Sequence, residues 1–321
     1  MDEQAKIKVI GVGDAGNNIV NRMIEAKVKH VSYFEVNTDI NVLKNSNTKN
    51  TIQIGKQTTE GLGCGTDATL GEKSAIEDKD EIKNILQDTD MVFLTAGMGG
   101  GTGTGGLPVI AKLAKEMGVL TIAIVTKPFS FEGKKRKLRA ELGINELRRN
   151  VDALIIVLND NLLEIVGSKT TIKTAFKIAD NVLKRGIQSI TDLITNVGEI
   201  NIDYADVKTI MSYQGGAYMG VGESSGRRAI KDAVKQAMEN RLTQIRIDGA
   251  KGVIINIEGN EDLGLTEINE SLQMVNDKVS PEANIIFGTT IKKELEDTVK
   301  VTIIATGIDE EEQRKVENTI Q

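Results

Sequence analysis

Three glycine-rich turns and one acidic loop carry the residue types in this chain that can do chemistry. The densest turn is Gly97-Met98-Gly99-Gly100-Gly101-Thr102-Gly103-Thr104-Gly105-Gly106. Without Cβ atoms its backbone N–H groups can close around anionic oxygens, and its two threonines add hydroxyl donors. A second turn, Gly11-Val12-Gly13-Asp14-Ala15-Gly16, has the G-x-G-x-x-G spacing of a dinucleotide fingerprint. Between them, Gly61-Leu62-Gly63-Cys64-Gly65-Thr66-Asp67 can close over a terminal phosphate or serve as an ordinary surface turn. Further on, Asn201-x-Asp203-x-x-Asp206 sets three polar groups at a spacing that can hold a cation or orient water. Either Asn201 or Asp203 can equally be a helix N-cap, although three such groups are more than a cap needs.

Each turn needs elements to aim it. Ile7–Gly13 and Met91–Ala96 are apolar runs that predict buried strands, and helical spacing follows each turn, over 17–26 and 107–118. A strand, a glycine turn and a helix N-terminus form an anion site because the helix dipole favours negative charge there. Val31–Val36, Val119–Thr126 and Ala153–Leu158 predict further strands of the buried parallel type. From Thr170 to Thr195 the pattern stays helical for about 26 residues, roughly 39 Å at 1.5 Å per residue, so it predicts a connecting spine. Phe176 and Asp180 fall on one face of that helix. A ring that stacks on a base and a carboxylate that accepts from N1–H and N2–H would select guanine, while Phe176 as a plain core residue fits the pattern as well. Glu132 can accept from ribose hydroxyls and Arg136 can neutralise phosphate, in a run (134–137) whose charges can also be a solvated helix start. After the spine, alternating strands and helices predict a second α/β unit, with strands at 218–222, 253–257, 284–290 and 299–306 and helices at 227–240 and 266–279. The expected division is 1–169, 170–195 and 196–321.

The composition removes several classes. With 321 residues and 40% hydrophobic content the chain can bury a large core. Forty basic against forty-six acidic residues give −6, so nothing global points to nucleic acid. Cys64 is the only cysteine and His30 the only histidine. That leaves no internal disulfide, no His-rich metal site and no Ser-His-Asp triad, and it fits a reducing cytoplasm. The charged N-terminus lacks a signal peptide's apolar core, and no apolar run approaches the ~20 residues needed to span a bilayer. Direct membrane insertion is therefore not expected.

Taken alone, the first fingerprint suits NAD, with Glu35 or Asp39 as the acidic ribose ligand, as well as a tubulin-like nucleotide site. The second, denser glycine turn favours the latter, since two turns at the ends of parallel strands can grip one polyphosphate from both sides. No G-x-x-x-x-G-K-[ST] is present, which excludes a P-loop enzyme. An NAD-dependent oxidoreductase remains the alternative.

Gly99-Gly100-Gly101-Thr102-Gly103-Thr104-Gly105, Pro128-Phe129-x-Phe131-Glu132-Gly133 and Asn201-x-Asp203-x-x-Asp206 together resemble the tubulin/FtsZ GTPase superfamily, and within it the bacterial cell-division branch. The resemblance runs from about Lys6 to Asp309. It implies a Rossmann-type GTPase domain with a parallel sheet, a long central helix and a C-terminal α/β domain of mostly parallel sheet. It implies that Gly13, Asp14, Ala15, Gly16, Asn17 and Asn18, with Gly99 to Gly105, hold the phosphates of GTP or GDP, with Mg2+. Glu132 and Arg136 would contact ribose and phosphate, and Asn159, Phe176 and Asp180 would hold guanine. Asn201, Asp203 and Asp206 would form a loop that completes the neighbouring subunit's nucleotide pocket.

That role makes physical sense, since no group near the glycine turns is an obvious candidate to position the attacking water. Carboxylates at the far end of the spine can reach the next subunit in a head-to-tail stack, and a contact that does not close on itself generates a filament. The expectation is a cytoplasmic homopolymer that forms the division ring at mid-cell. Departures from the family pattern are Asp14-Ala15 for Gly-Gly, Thr66-Asp67-Ala68 for Ala-Asn-Pro, Val197 and Glu199 for Pro and Leu, and Asn161 for Arg. A weakly hydrolysing filament protein is the further alternative, because Asp14 sets a carboxylate beside the phosphates. Division-machinery adaptors are further candidate partners that the resemblance implies, although the C-terminal peptide that usually binds them is not found in this sequence.

Overall fold

The computed structural model describes residues 5–165, 170–195, 202–240, 242–309 and 313. The chain forms two compact units that divide between Gln188 and Ser189.

The first unit follows from its alternation of apolar strands and amphipathic helices. It runs β1 (Ile7–Val12), α1 (Gly13–Glu25), β2 (Val31–Asn37), α2 (Ile40–Leu43), β3 (Thr51–Gln53), α3 (Lys56–Thr59), α4 (Ala68–Glu77) and α5 (Lys79–Leu86). It continues with β4 (Met91–Gly97), α6 (Thr102–Glu116), β5 (Leu120–Lys127), α7 (Lys134–Arg148), β6 (Ala153–Leu158), α8 (Asn159–Ile165) and α9 (Ile172–Thr195), whose last turns belong to the second unit. The strands pair in the order β3-β2-β1-β4-β5-β6, all parallel. Each of β4 and β5 is buried almost along its length, as a strand covered on both faces must be. On one face Ile10, Val12, Val36 and Leu94 pack with Ala75, Ile82, Leu107, Ile110, Ile144 and Leu147 from α4 to α7. Side chains alternate across a strand, so Ile7 and Val9 turn to the other face, where α1 buries Ile19, Val20 and Met23.

The strand order reverses direction at β1, with β2 on one side and β4 on the other. In a doubly wound sheet the crevice beyond the carboxyl ends of two such strands is where ligands bind. The turns that leave β1 and β4 are the two glycine turns.

The second unit comprises the end of α9, α10 (Tyr204–Met211), β7 (Gly216–Ser225), α11 (Ala229–Glu239), β8 (Gly252–Gly259), α12 (Leu265–Asn276), β9 (Asn284–Ile291) and β10 (Thr298–Ile308). Its elements fall where the sequence places them, but its sheet is not mostly parallel. β10 pairs antiparallel with both β7 and β8, and only β8 and β9 are parallel. Helices α11 and α12 contribute Ile230, Ala233, Val234, Ile268 and Val275 to a core with Val253, Ile255, Val301 and Ile303. Among the described residues no helix is long and apolar enough to cross a membrane.

Candidate functional site

The two glycine turns touch. Gly13 has φ +72°, which a side chain would resist, and a Cβ built on it would lie 3.1 Å from the Gly103 nitrogen. A Cβ on Gly97 would come 2.8 Å from that of Ala15. Neither α1 nor α6 has a side chain capping its first N–H groups: the residues before them are Val12 and Gly101. The positive ends of two helices, of 13 and 15 residues, therefore converge on one crevice with unclaimed donors. Beside Gly100 the space is open, with no atom within 4 Å of a Cβ built there.

Side chains fix this cradle from behind. Asn17 is buried and donates to the Gly11 carbonyl at 3.0 Å, and Asn37 donates to Asn17 Oδ1 at 2.7 Å and to Asp14 Oδ1 at 3.0 Å. Asn17 thus faces the turn's interior, whereas Asp14 and Asn18 are exposed on α1's first turns. Thr104 Oγ1 accepts from the Gly99 N–H at 2.7 Å, so of the two threonines it serves the turn itself, while Thr102 shares a hydrogen with Thr38 at 2.7 Å. Gly105 lies inside α6 against α4: a Cβ there would fall 1.9 Å from the Ala68 carbonyl, so its missing side chain permits helix packing. The third turn packs on the second, since a Cβ on Gly101 would lie 2.4 Å from that of Cys64. Cys64, 5% exposed, donates to Thr38 Oγ1 at 3.4 Å, and Asp67 caps α4 through the Thr69 N–H at 2.8 Å.

A second wall comes from the segment after β5 and from α9. Phe129 and Phe131 stack at 5.0 Å, and Phe176, 38% exposed, meets Phe129 edge-on at 5.2 Å. Ser130 donates to Asp160 through both its N–H, at 2.7 Å, and its hydroxyl, at 2.5 Å, which ties this segment to the first turn of α8. Glu132 accepts from the Phe129 N–H at 2.8 Å and pairs with Arg136 Nε at 3.0 Å. The Arg136 stem lies over Gly99, where a Cβ would meet its Cγ at 2.7 Å, and Arg139 Nε donates to the Gly99 carbonyl at 3.1 Å. Asn159, 4% exposed, has its Oδ1 buried without a hydrogen-bond donor among the described residues. An orphaned acceptor of this kind calls for a donor from a ligand. Asp180 is paired with Arg22 Nε at 2.9 Å. Burial pushes its carboxyl up to about 6, against the opposing pull of the Arg22 charge and hydrogen bond.

An exposed ring, a buried carboxylate and an orphaned amide oxygen beside two converging helix N-termini suit a guanine nucleotide. The dinucleotide alternative loses its ribose ligand. Glu35 is fully buried, and Asp39 is occupied in capping α2 through the Asn41 N–H at 2.8 Å. Among the described residues no group of three or more His, Cys, Asp or Glu side chains forms a metal cluster. In the second unit Asp203 caps α10, its Oδ1 accepting from the Asp206 N–H at 2.8 Å, and both carboxylates are exposed. Asn201 lies outside the described residues.

Sequence reasoning did not single out Arg22, Asn37, Thr38 or Arg139. The helical position of Arg22 gave no clue to a partner far along the chain. Asn37-Thr38 at the end of a strand next to a glycine turn was the one available signal.

Comparison with known proteins agrees with this geometry. Residues 6–167 match the GTPase-domain model of the Tubulin/FtsZ family, and residues 215–309 match the C-terminal-domain model of the FtsZ family. An empty FtsZ dimer from M. jannaschii shares 43% identity over 96% of this chain and 89% of its own, with TM-score 0.91. Two Haloferax volcanii proteins share the fold at lower identity. A GDP-bound CetZ1 monomer has 22% identity over 98% of this chain and 99% of its own, with TM-score 0.83. A GTPγS-bound CetZ2 protofilament has 21% identity over 98% and 99%, with TM-score 0.80.

Proposed function

Because this chain belongs to the tubulin/FtsZ family, on its FtsZ branch, and is a GTPase of the filament-forming cell-division type, we propose that it hydrolyses GTP at a site completed by the next subunit of a head-to-tail polymer. The close approach of Gly13 to Gly103 at the β1/β4 switch point carries the reading. It gives one crevice in which the turns at 13–18 and 99–104 surround the phosphates, with Mg2+ arriving on the triphosphate, while Gly105 serves the packing of α6 on α4. Arg136 and Glu132 sit at the phosphate and ribose side. Asn159 Oδ1 and the Asp180 carboxylate accept from the base, and Phe176 packs on its face. Adenine offers no N1–H or N2–H, so Asp180 selects guanine.

Backbone N–H groups and the two helix dipoles neutralise charge that accumulates on the phosphoryl oxygens, but they hold no water in line. Asn201, Asp203 and Asp206 of the neighbour supply that function. A group donated in trans in this way can be worth on the order of 10³-fold or more in rate. Self-association is then part of catalysis, and hydrolysis weakens the contact on which it depends. The M. jannaschii FtsZ dimer supports self-association. The expected setting is the cytoplasm at the mid-cell division site, with any membrane attachment made through adaptors.

Phosphate release, light scattering and nucleotide binding measured on Asp206→Ala test this directly. The variant should bind GTP as the parent does and lose most turnover. Loss of binding would show that Asp206 serves its own subunit's pocket and would overturn the trans site. In the parent, turnover per subunit should rise steeply above a critical protein concentration; a flat dependence means that one chain holds a complete site.

A further inference from the structure

A cavity of about 730 Å³ opens on the first unit where α6 meets α4, α5 and α7. It runs along α6 from Thr104 to Glu116, about 18 Å at 1.5 Å per residue. Pro108, Val109 and Leu113 line it from α6, Ile76 from α4 and Leu142 from α7. Ile76 and Leu142 are 51% and 63% exposed, so the apolar lining continues to the mouth instead of closing over it. Volume and lining are those of a small-molecule site. Nothing in the nucleotide chemistry above calls for a cavity at this place.

The charge around it opposes that of the chain, which carries −6. Lys79 and Lys83 on α5, Lys112 on α6 and Arg139 on α7 are set against Glu72, Glu116 and Glu146. Glu146 is already paired with Arg149 at 3.0 Å. Among the described residues none of the three lysines has an ion-pair partner, and neither has Glu72 or Glu116. Four cations against two uncommitted acids leave the cavity positive. An apolar lining with surplus positive charge complements an apolar body that carries an anionic group.

The cavity also reaches the back of the phosphate turn. Thr104 and Arg139 both line it, and they are the side chains that hold Gly99. Thr104 Oγ1 accepts from the Gly99 N–H at 2.7 Å, and Arg139 Nε donates to the Gly99 carbonyl at 3.1 Å. Gly143 lines it too, and a Cβ built there would lie 2.4 Å from Thr104 Cγ2, so α7 meets α6 at that point without slack. A ligand that fits the cavity as it stands therefore stabilises the arrangement in which both backbone groups of Gly99 are held.

We propose that this cavity is a regulatory site for a small amphiphilic anion, an apolar body with one carboxylate, sulfonate or phosphate, whose binding tightens nucleotide in the adjacent crevice. The site stands apart from the function proposed above, while the coupling rests on it. Two ligands that favour one arrangement of Gly99 raise each other's affinity by the same factor, about fivefold or more.

The test uses the full chain, free of nucleotide, and 8-anilinonaphthalene-1-sulfonate, an aromatic anion whose fluorescence rises on binding. The probe should bind saturably, at one site per chain. Leu142→Glu puts a carboxylate at the mouth, on an exposed position, and should abolish that binding while melting as the parent does. Lys83→Glu/Lys112→Glu should weaken it about tenfold, the scale of two surface charge reversals, and leave binding of the uncharged N-phenyl-1-naphthylamine unchanged. Should Leu142→Glu not fold, the lysine pair decides. GDP should tighten the probe in the parent, and the probe should tighten GDP by the same factor. In Leu142→Glu, GDP affinity should no longer respond to the probe. Absence of saturable binding, or equal binding by the parent and the folded variants, overturns the site. Probe affinity that GDP leaves unchanged overturns the regulation, and probe affinity that GDP lowers overturns both, because it places the probe in the nucleotide crevice. If GDP itself does not bind, the nucleotide reading falls, and loss of the probe in the variants still decides the site.

Discussion

Arg22→Gln isolates the electrostatics of base recognition. The substitution keeps a polar stem on α1 and removes the charge that sits 2.9 Å from Asp180. Burial already raises Asp180 to about 6 with that charge in place, so at pH 7 about nine-tenths of the pocket carries the carboxylate. Losing an adjacent opposite charge raises a carboxyl by about one to two further units, which leaves about a half to a tenth ionised at pH 7. A protonated Asp180 cannot accept from both N1–H and N2–H. Affinity for GTP and GDP should therefore fall about two- to tenfold at pH 7 and recover by pH 9. In the parent, affinity should decline as pH drops through about 6. Titration of a fluorescent GDP analogue from pH 5 to 9 at constant ionic strength reads both. A loss in Arg22→Gln of equal size at pH 6, 7 and 9, or a parent curve flat from pH 5 to 8, would refute the reasoning. The same shift acts on folding with opposite sign. Asp180 holds its proton more tightly folded than unfolded, so its contribution, about 3 kcal/mol, is present below about pH 4 and is lost as pH rises through about 6.

Two glycines should respond in contrasting ways. Gly105→Ala would drive a Cβ to within 1.9 Å of the Ala68 carbonyl and should lower stability by about 1–3 kcal/mol or more, read as a fall in melting temperature. Gly100→Ala meets no atom within 4 Å, so it should melt like the parent yet weaken nucleotide binding, because its methyl occupies the cradle. Equal effects on melting from both would contradict the assignment of one to packing and the other to the ligand. Tyr218→Phe removes a buried hydroxyl that donates to the Ala237 carbonyl and lies 3.1 Å from that of Asn240, at the end of α11. It should cost about 1–2 kcal/mol in denaturant unfolding and leave nucleotide affinity unchanged.

The parts of this molecule that follow local rules were legible in the sequence. Glycine spacing between an apolar run and a helical pattern located both turns, and a 3.6-residue period located α9 and put Phe176 and Asp180 on one face. What escaped was set by long-range pairing. The Arg22–Asp180 ion pair joins residues 158 positions apart (180 − 22), and no local pattern in α1 announces it. Thr102 and Thr104 look alike in sequence, but one faces Thr38 across the crevice and the other turns into its own loop. The sheet of the second unit shows the same limit. β8 and β10 are buried along most of their length, and the family resemblance implied a mostly parallel sheet for them. β10 nevertheless runs antiparallel between β7 and β8. Strand direction depends on the path of the connections, which side-chain pattern does not encode.

Cys64 gives the pocket a clock. It is the sole thiol of the chain, shut beneath the contact between the third glycine turn and Gly101. A soluble alkylating reagent can reach it only when those turns part, so the speed of its modification counts openings of the phosphate cradle rather than unfolding of the whole unit. With opening and closing fast relative to alkylation, the ratio of that speed to the speed at an unprotected thiol is the fraction of time the turns stand apart. Any nucleotide that bridges the turns must slow the clock by the factor with which it holds them shut, with no residue substituted.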